Sequence, residues 1–367
     1  MRSSFASATG STDLDTATPA GSPGEVSAQV AQSIPGAADT TGRHSSVGVV
    51  VIGRNEGERL QRCLQSVLEP QRCVVYVDSG STDDSVAMAT AAGAVVHALD
   101  MGQPFTAARA RNEGVRRLQA LAAEIEYIQF VDGDCEVVAG WLAAATAFLD
   151  QHPDVAAVCG RRRERYPERS VYNLLCDLEW NTPVGEAKAC GGDVLMRAAA
   201  LRQAVGYRDD LIAGEEPELC VRLRALRWRI WRLDAEMTLH DAAMTRFGQW
   251  WMRCVRAGFA FAEGVRLHGA PPERHWVRES RSAWLWGAGI PSLLALLATA
   301  TGPAAAWGLM IYPLQVVRLA LRFEGTRRER WTRALFLVVG KFPEAIGQVK
   351  SWLLHAIGRH AVLIEYK

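Results

Sequence analysis

The chain has 367 residues, room for two domains or for one domain with large additions, and 49% apolar against 22% charged residues lets most of it pack into a core. Eight cysteines without one CxxC spacing exclude a disulfide framework, a zinc ribbon and a thioredoxin-like site. They predict reduced, buried thiols and a cytosolic setting. The formal net charge of +1 hides a split: from Arg266 onward 14 basic residues face 6 acidic ones, which leaves about −7 on the first 265 residues. That balance excludes general nucleic-acid binding by the main domain and suits a tail that meets anionic lipid headgroups.

In chain order, residues 1–44 are rich in Ser, Thr, Ala, Gly and Pro with no hydrophobic period, and are expected to be disordered. They hold no apolar stretch of the ~7–15 residues a signal peptide needs, so the following domain is expected to stay in the cytosol. Order is predicted from Val47. Val47–Ile52 is a β-branched run, the pattern of a strand covered on both faces. Leu60, Leu64, Val67 and Leu68 have helical spacing. Val74–Val77 predicts a strand, Val86–Ala92 a helix, Ala94–His97 a short strand, Phe105–Leu121 a longer helix, and Tyr127–Val131 another strand. This alternation predicts an α/β fold: a mostly parallel, Rossmann-like sheet flanked by helices, with its ligand beyond the carboxyl ends of the strands. Val155–Val158 and Asp193–Met196 read as further strands, and Glu216–Leu226 as a helix. No internal repeat is seen.

The last part differs. Residues 282–317 run for 36 positions without a charge, broken at Thr301-Gly302-Pro303 into stretches of 19 and 14. Only the first reaches the ~17–25 residues of a spanning helix. Arg278 and Arg281 precede the run, and Arg318, Arg322, Arg327, Arg328 and Arg330 follow it. Positive charge at both ends favours a hairpin with both ends on the cytoplasmic side; the competing reading is a buried helical pair in a soluble domain. Residues 331–357 (Trp331, Leu335, Phe336, Phe342, Ile346, Trp352, Leu353) are amphipathic, with basic residues interspersed, and suit the headgroup surface. The expected organisation is a segment 1–44, a main domain 45–245, a helical connector 246–281, a hydrophobic hairpin 282–320 and a basic amphipathic tail 321–367. The expected location is the cytoplasmic face of the inner membrane.

Four acidic groups fall where strands end or helices begin: Asn55-Glu56, Asp78, Asp132-Gly133-Asp134 and Glu215-Glu216. Carboxylates gathered in one cleft repel each other unless a cation or hydrogen-bond donors compensate, and a hard divalent ion such as Mg2+ or Mn2+ is a natural compensator that also bridges to substrate phosphates. An isolated Asp-x-Asp is usually a turn with solvated acids; here it follows a buried strand directly, and Gly133 permits a sharp turn. Asp78 either caps the helix near Thr82 or accepts from a nucleobase or ribose. Arg109 and Arg111 are helix-surface charges, or one of them faces a diphosphate. Cys190-Gly191-Gly192-Asp193 is a bulge or a floor that a substrate approaches closely. Trp250, Trp251 and Phe259 either stack on a sugar or dock the tail helices; docking is the favoured reading.

The order of motifs resembles family 2 glycosyltransferases of the GT-A fold. The matching pieces are Val-Val-Ile-Gly-Arg-Asn-Glu56, Val-Asp-Ser-Gly-Ser-Thr-Asp-Asp84, Ala-Arg-Asn-Glu-Gly114, Val-Asp-Gly-Asp134 and Gly-Glu-Glu-Pro-Glu-Leu219, over roughly residues 46–245. The resemblance implies a nucleotide-sugar donor and inversion at the anomeric carbon. It implies that Asp78 holds the nucleotide base with Glu56 and the Ile52–Arg54 segment beside it, and that Arg111 faces the donor. Asp132 and Asp134 would meet the ribose and the metal-bound diphosphate. Glu216, next to Glu215, would be the general base, and His240 would lie near the metal. Gly191 and Gly192 would line the acceptor side. Glu216 stands where the family usually has Asp, and Gln249-Trp-Trp-Met-Arg253 matches the Gln-x-x-Arg-Trp of processive members poorly. Transfer of a single sugar, to a glycan or glycolipid acceptor, is therefore favoured over polymerisation. Two other readings stand beside this one. A sugar nucleotidylyltransferase would need a basic glycine-rich loop that Gly53-Arg-Asn-Glu-Gly57 lacks. A non-catalytic scaffold is disfavoured by the intact Asp132, Asp134 and Glu216.

Overall fold

The computed structural model describes residues 45–358. The expectation of disorder over residues 1–44, and the last residues of the basic tail, lie outside the described residues.

Nine strands form one sheet: β1 (Val47–Gly53), β2 (Val74–Asp78), β3 (Val95–Ala98), β4 (Tyr127–Asp132), β5 (Cys135–Val137), β6 (Val155–Glu164), β7 (Gly185–Glu186), β8 (Val194–Arg197) and β9 (Arg229–His240). Their order is β3-β2-β1-β4-β8-β6-β9-β5, with β7 on β9. The β3-β2-β1-β4 half is parallel, as the alternation predicts. The other half is mixed: β8 runs antiparallel to β4 and β6, while β9 pairs parallel with β6.

β1 is covered on both faces, and the strand period divides its side chains between two cores. Val50 and Ile52 enter one core, with Ala108, Ala110 and Leu118 of α3 (Ala107–Leu121). Val49 and Val51 enter the other, with Leu60 and Leu64 of α1 (Glu58–Val67) and Trp141 of α4 (Trp141–Gln151). α2 (Ser85–Ala91), α5 (Val171–Trp180), α6 (Ala198–Gln203) and α7 (Glu215–Ala225) complete the domain. Strand β9 and helices α4 and α5 have no counterpart in the elements read from the sequence. All eight cysteines are free thiols, and five of them are buried.

The segment expected to be a connector holds α8 (Phe247–His268). Trp250 on it is 5% exposed and packs edge-on to Phe336, ring centroids 4.9 Å apart, beside Tyr172. Phe259 is buried as well. Both are docking residues, as favoured. The C-terminal region continues with α9 (Val277–Trp284), a π-helical turn, α10 (Ile290–Thr301), a 3-10 stretch Gly302–Met310, α11 (Ile311–Ala320), α12 (Arg327–Val339) and α13 (Lys341–Ala356). The run Val277–Ala320 is the one helical run among the described residues that is long and apolar enough to cross a membrane, and its apolar window is not buried. Within it Gly302 has φ 65°, and the Tyr312 hydroxyl donates to the Trp286 carbonyl at 2.7 Å.

The amphipathic tail departs in part from its expected surface role. One face of α13 is packed into α8: Gly258 lies so close that an added Cβ would stand 1.9 Å from the Glu344 carbonyl oxygen, and one on Gly347 would stand 2.0 Å from that of Val255. Phe336 likewise turns inward. Trp331, Leu335, Ile346, Trp352 and Leu353 remain on the outside.

Candidate active site

β1, β2 and β4 end side by side, and their carboxyl ends carry the acids. Ile52 pairs in register with Asp132, and Gly53 with Asp78. The Gly133 N–H donates to the Ile52 carbonyl at 2.8 Å, which fixes the sharp turn between Asp132 and Asp134. Any side chain at Gly133 would meet that carbonyl and the Glu56 side chain at 3.2 Å.

Arg111 joins the acids of α7 to those of β4. Its guanidinium contacts Asp132 Oδ1 at 2.8 Å and Glu215 Oε1 at 2.7 Å, with the Arg111 side chain almost wholly buried. Arg109 points elsewhere and donates to the Asp100 carbonyl. Asn112 ties the neighbouring loop by donating to the Tyr207 carbonyl at 2.8 Å. Gly192 is pressed against the same pair: a Cβ there would stand 2.8 Å from Arg111 Nη2 and 3.1 Å from Asp132 Oδ2. Gly191 has φ 117°, a backbone state that favours glycine, and open space over its Cα.

Glu216 is 2% exposed. Its Oε1 accepts from the Cys190 N–H at 2.8 Å and from the Cys220 thiol at 2.8 Å, while its buried Oε2 has no protein partner. Burial raises its pKa above the ordinary Glu value, with the neighbouring Glu215 charge a smaller contribution in the same direction. Desolvation, more than repulsion among the gathered acids, is the main cause.

Asp134 and His240 face each other across the adjoining strands, Oδ2 to Nε2 3.4 Å apart, and both are buried. His240 Nδ1 lies 3.2 Å from Glu164 Oε2. Glu164 is held in turn by the Asn173 side chain at 3.1 Å and by the Ala242 N–H at 3.1 Å. Burial, the largest single influence, lowers the His240 pKa; the charge of Asp134 and the hydrogen bonds to Asp134 and Glu164 together outweigh it, and the net shift is upward. Asp134, Cys135 and His240 bring their ligand atoms within 4.8 Å of one another, as do Asp132, Cys135 and Asp193. Burial pushes the Cys135 thiol well up, and a thiol is a soft donor that hard divalent ions disfavour. The remaining donors are carboxylates and one imidazole whose far nitrogen is fixed by Glu164. That set fits a divalent ion of the Mg2+ or Mn2+ type.

At the end of β2, Asp78 is buried and its carboxylate serves its own turn, accepting from Tyr76 Oη and from the Gly80 and Ser81 N–H groups at 3.0 Å each. It does not cap α2; Asp83 accepts from the Ser85 N–H there. Glu56 is paired with Arg59 at 2.8 Å, and Arg54 is exposed at the end of β1. Four residues that sequence reasoning missed line the same cleft. Asp193 accepts from the Asp132 N–H at 3.0 Å and from Thr238 Oγ1 at 2.8 Å. Arg162 lies 3.6 Å from Asp132 and 3.4 Å from Asp193, and stacks over Trp180. Trp180 in turn stands edge-on to His240. Glu164 is the fourth. The sequence signals are the Cys190-Gly191-Gly192-Asp193 motif for Asp193 and the run Arg161-Arg162-Arg163-Glu164 inside a strand for Arg162 and Glu164.

A mixed α/β sheet thus gathers acids, an imidazole and a buried arginine at its carboxyl edge. Residues 48–188, under half of the chain, match the family Glycosyl transferase family 2, and the fold is of the GT-A kind. Over 139 residues it is 33% identical to the TPR repeat-containing protein Synpcc7942_0270 of Synechococcus elongatus, which is 38% of this chain and 32% of that protein. The chain thus spans about a third of the length of that curated relative. Among solved structures it is similar to the mannosyltransferase PcManGT from Pyrobaculum calidifontis, in complex with GDP-Man and Mn2+: TM-score 0.58, 20% identity, 83% of this chain and 87% of that one. A looser similarity, TM-score 0.44 and 18% identity over 63% of this chain and 80% of the other, is to glucosyl-3-phosphoglycerate synthase from Mycobacterium tuberculosis.

Proposed function

We propose that the protein is an inverting, divalent-metal-dependent glycosyltransferase that moves one sugar from a nucleotide-sugar donor to a hydroxyl of a glycan acceptor. The observation that carries the reading is the meeting of Asp132, Asp134, His240 and Arg111 at one sheet edge. The family match and the fold shared with a mannosyltransferase support it.

Asp134 and His240, with Asp132 beside them, would hold Mg2+ or Mn2+, which when bound supplies charge neutralisation for a departing diphosphate. Arg111 holds Asp132 and Glu215 in place and adds a positive charge to the same edge. Asp78, Glu56 and the Ile52–Arg54 segment would line the nucleoside side. Glu216, its Oε1 committed to Cys190 and Cys220, offers Oε2 to the acceptor proton, next to the open Gly191-Gly192 floor. In the step, the acceptor oxygen bonds to the anomeric carbon from the face opposite the leaving group. Its proton goes to Glu216, and the anomeric carbon–oxygen electron pair leaves with the nucleoside diphosphate.

The acceptor is proposed to be lipid-linked, with the domain on the cytoplasmic face of a membrane. The apolar run Val277–Ala320, the basic residues around it and its exposed Leu293, Leu296, Trp307 and Leu314 support this. The Tyr312–Trp286 hydrogen bond supports a hairpin, because residues 26 apart along one straight helix would be separated by about 39 Å. The test is release of nucleoside diphosphate from UDP-, GDP- and dTDP-sugars by purified protein with and without Mn2+. Donor turnover or binding that depends on metal is expected; absence of both with every donor would favour a non-catalytic scaffold.

A further inference from the structure

Behind the catalytic edge, at the junction of β6, β9 and the end of α5, lies a cavity of about 280 Å³ lined by Arg161, Arg163, Asn181, Arg232, Asp234 and Glu236. It sits where the β6–β9 register shifts between Cys159 and Arg161, so the ladder opens there. The intervening Arg162 is directed instead to Asp132 and Asp193.

Two of the three arginines are neutralised. Arg161 pairs with Asp177 at 2.9 Å, and Arg163 makes a two-pronged contact with Glu236 at 2.8 Å. Arg232 is different. It is 3% exposed, its Nη1 donates only to the Leu233 carbonyl, and its buried Nε has no hydrogen-bond partner in the protein. Among the described residues it has no ion-pair partner; Asp234 and Glu236 stand exposed on the rim. A guanidinium buried without an anion is costly, and one that lines a cavity while lacking an ion-pair partner can take a small oxyanion as that partner. The volume is just below the usual range for ligand pockets of ~300–1,000 Å³, which restricts the occupant to something small.

We propose that this cavity is an oxyanion-binding subsite, taking a phosphate group either free or carried on a monosaccharide, with Arg232 as its main donor and Asn181 and Arg163 at its side. The test is thermal unfolding of the full chain in sodium phosphate against sodium chloride at matched ionic strength, with glucose 6-phosphate as the second probe. A saturable rise in the midpoint is expected with phosphate. A larger rise at equal concentration with glucose 6-phosphate points to a sugar-borne anion, and an equal or smaller one to the free anion. Arg232→Met is expected to abolish the rise while being no less stable than wild type in chloride, because it removes a buried unpaired charge. If that variant does not fold, the double variant Arg163→Ala/Asn181→Ala is expected to weaken the apparent affinity several-fold. Asp134→Asn is expected to keep the response. The proposal is overturned if wild type shows no saturable rise over chloride, if Arg232→Met or the double variant retains the full response, or if Asp134→Asn loses it, which would place the anion in the catalytic cleft.

Discussion

Glu216 concentrates the residue-scale physics. Its folded pKa is raised, so the fold favours its protonated form: that contribution to stability is fully present below the ordinary glutamate pKa and is lost as pH rises through the higher folded value. Glu216→Gln, which imitates the protonated carboxyl, is therefore expected to melt higher than wild type at neutral pH and no higher at acid pH. As the proposed base, Glu216 must be ionised to work. The acid limb of kcat/KM is expected above the usual carboxylate range, and Glu216→Gln is expected to bind donor normally while losing about 100- to 10,000-fold in transfer. Normal transfer by that variant would show that another group takes the proton. Asp134→Ala is expected to abolish Mn2+-dependent donor binding in calorimetry. Glu164→Gln should weaken Mn2+ binding by about 10–100-fold, read by calorimetry or by the spectrum of bound Mn2+, because Glu164 orients His240 rather than touching the ion. Asp132, Asp134 and the Glu pair were legible in the sequence because they sit at the ends of strongly patterned elements. The roles of Glu164, Asp193 and Arg162 were not, because the local motifs that hold them do not say what they meet; they reach the cleft only through the pairing of β8, β6 and β9 with the parallel half.

The elements divide along similar lines. β1 and β2 are readable because both faces are buried and valines run almost continuously, and β4 because its largely apolar run is buried up to Asp132. β9 escapes such reading: Ile230 and Arg232 are buried, Asp234 and Glu236 are exposed, and then Met237 and Thr238 are buried in succession, so the period of two breaks at the bulges. α8 and α13 meet through glycine on both sides. Gly258→Val or Gly347→Val should force the helices apart and cost roughly 1–3 kcal/mol, measured by chemical denaturation. Unchanged stability would mean that the two helices are not held at this spacing. Gly258 and Gly347 thus act as contact surface inside helices.

For the whole molecule, the charge split and the apolar run make one expectation. Bulky side chains on the run, Leu296, Trp307 and Leu314 among them, face outward, and the α13 tail adds Trp352 and Leu353. Leu296→Asp/Trp307→Asp is expected to cut co-sedimentation with anionic vesicles while leaving the melting midpoint within a few degrees of wild type. Undiminished sedimentation would overturn membrane insertion of this run. Composition and periodicity alone determined the parallel half of the sheet, the placing of acids at its edge and the apolar C-terminal run, because these follow from short-range patterns of burial and turn formation. Only the folded chain decided which acid is desolvated, that Arg111 ties Asp132 to Glu215, that Glu164 stands behind His240, and that half the amphipathic tail packs on α8. Those outcomes depend on contacts between residues as much as 104 positions apart, and no local pattern encodes the distance between side chains that the chain brings together only on folding.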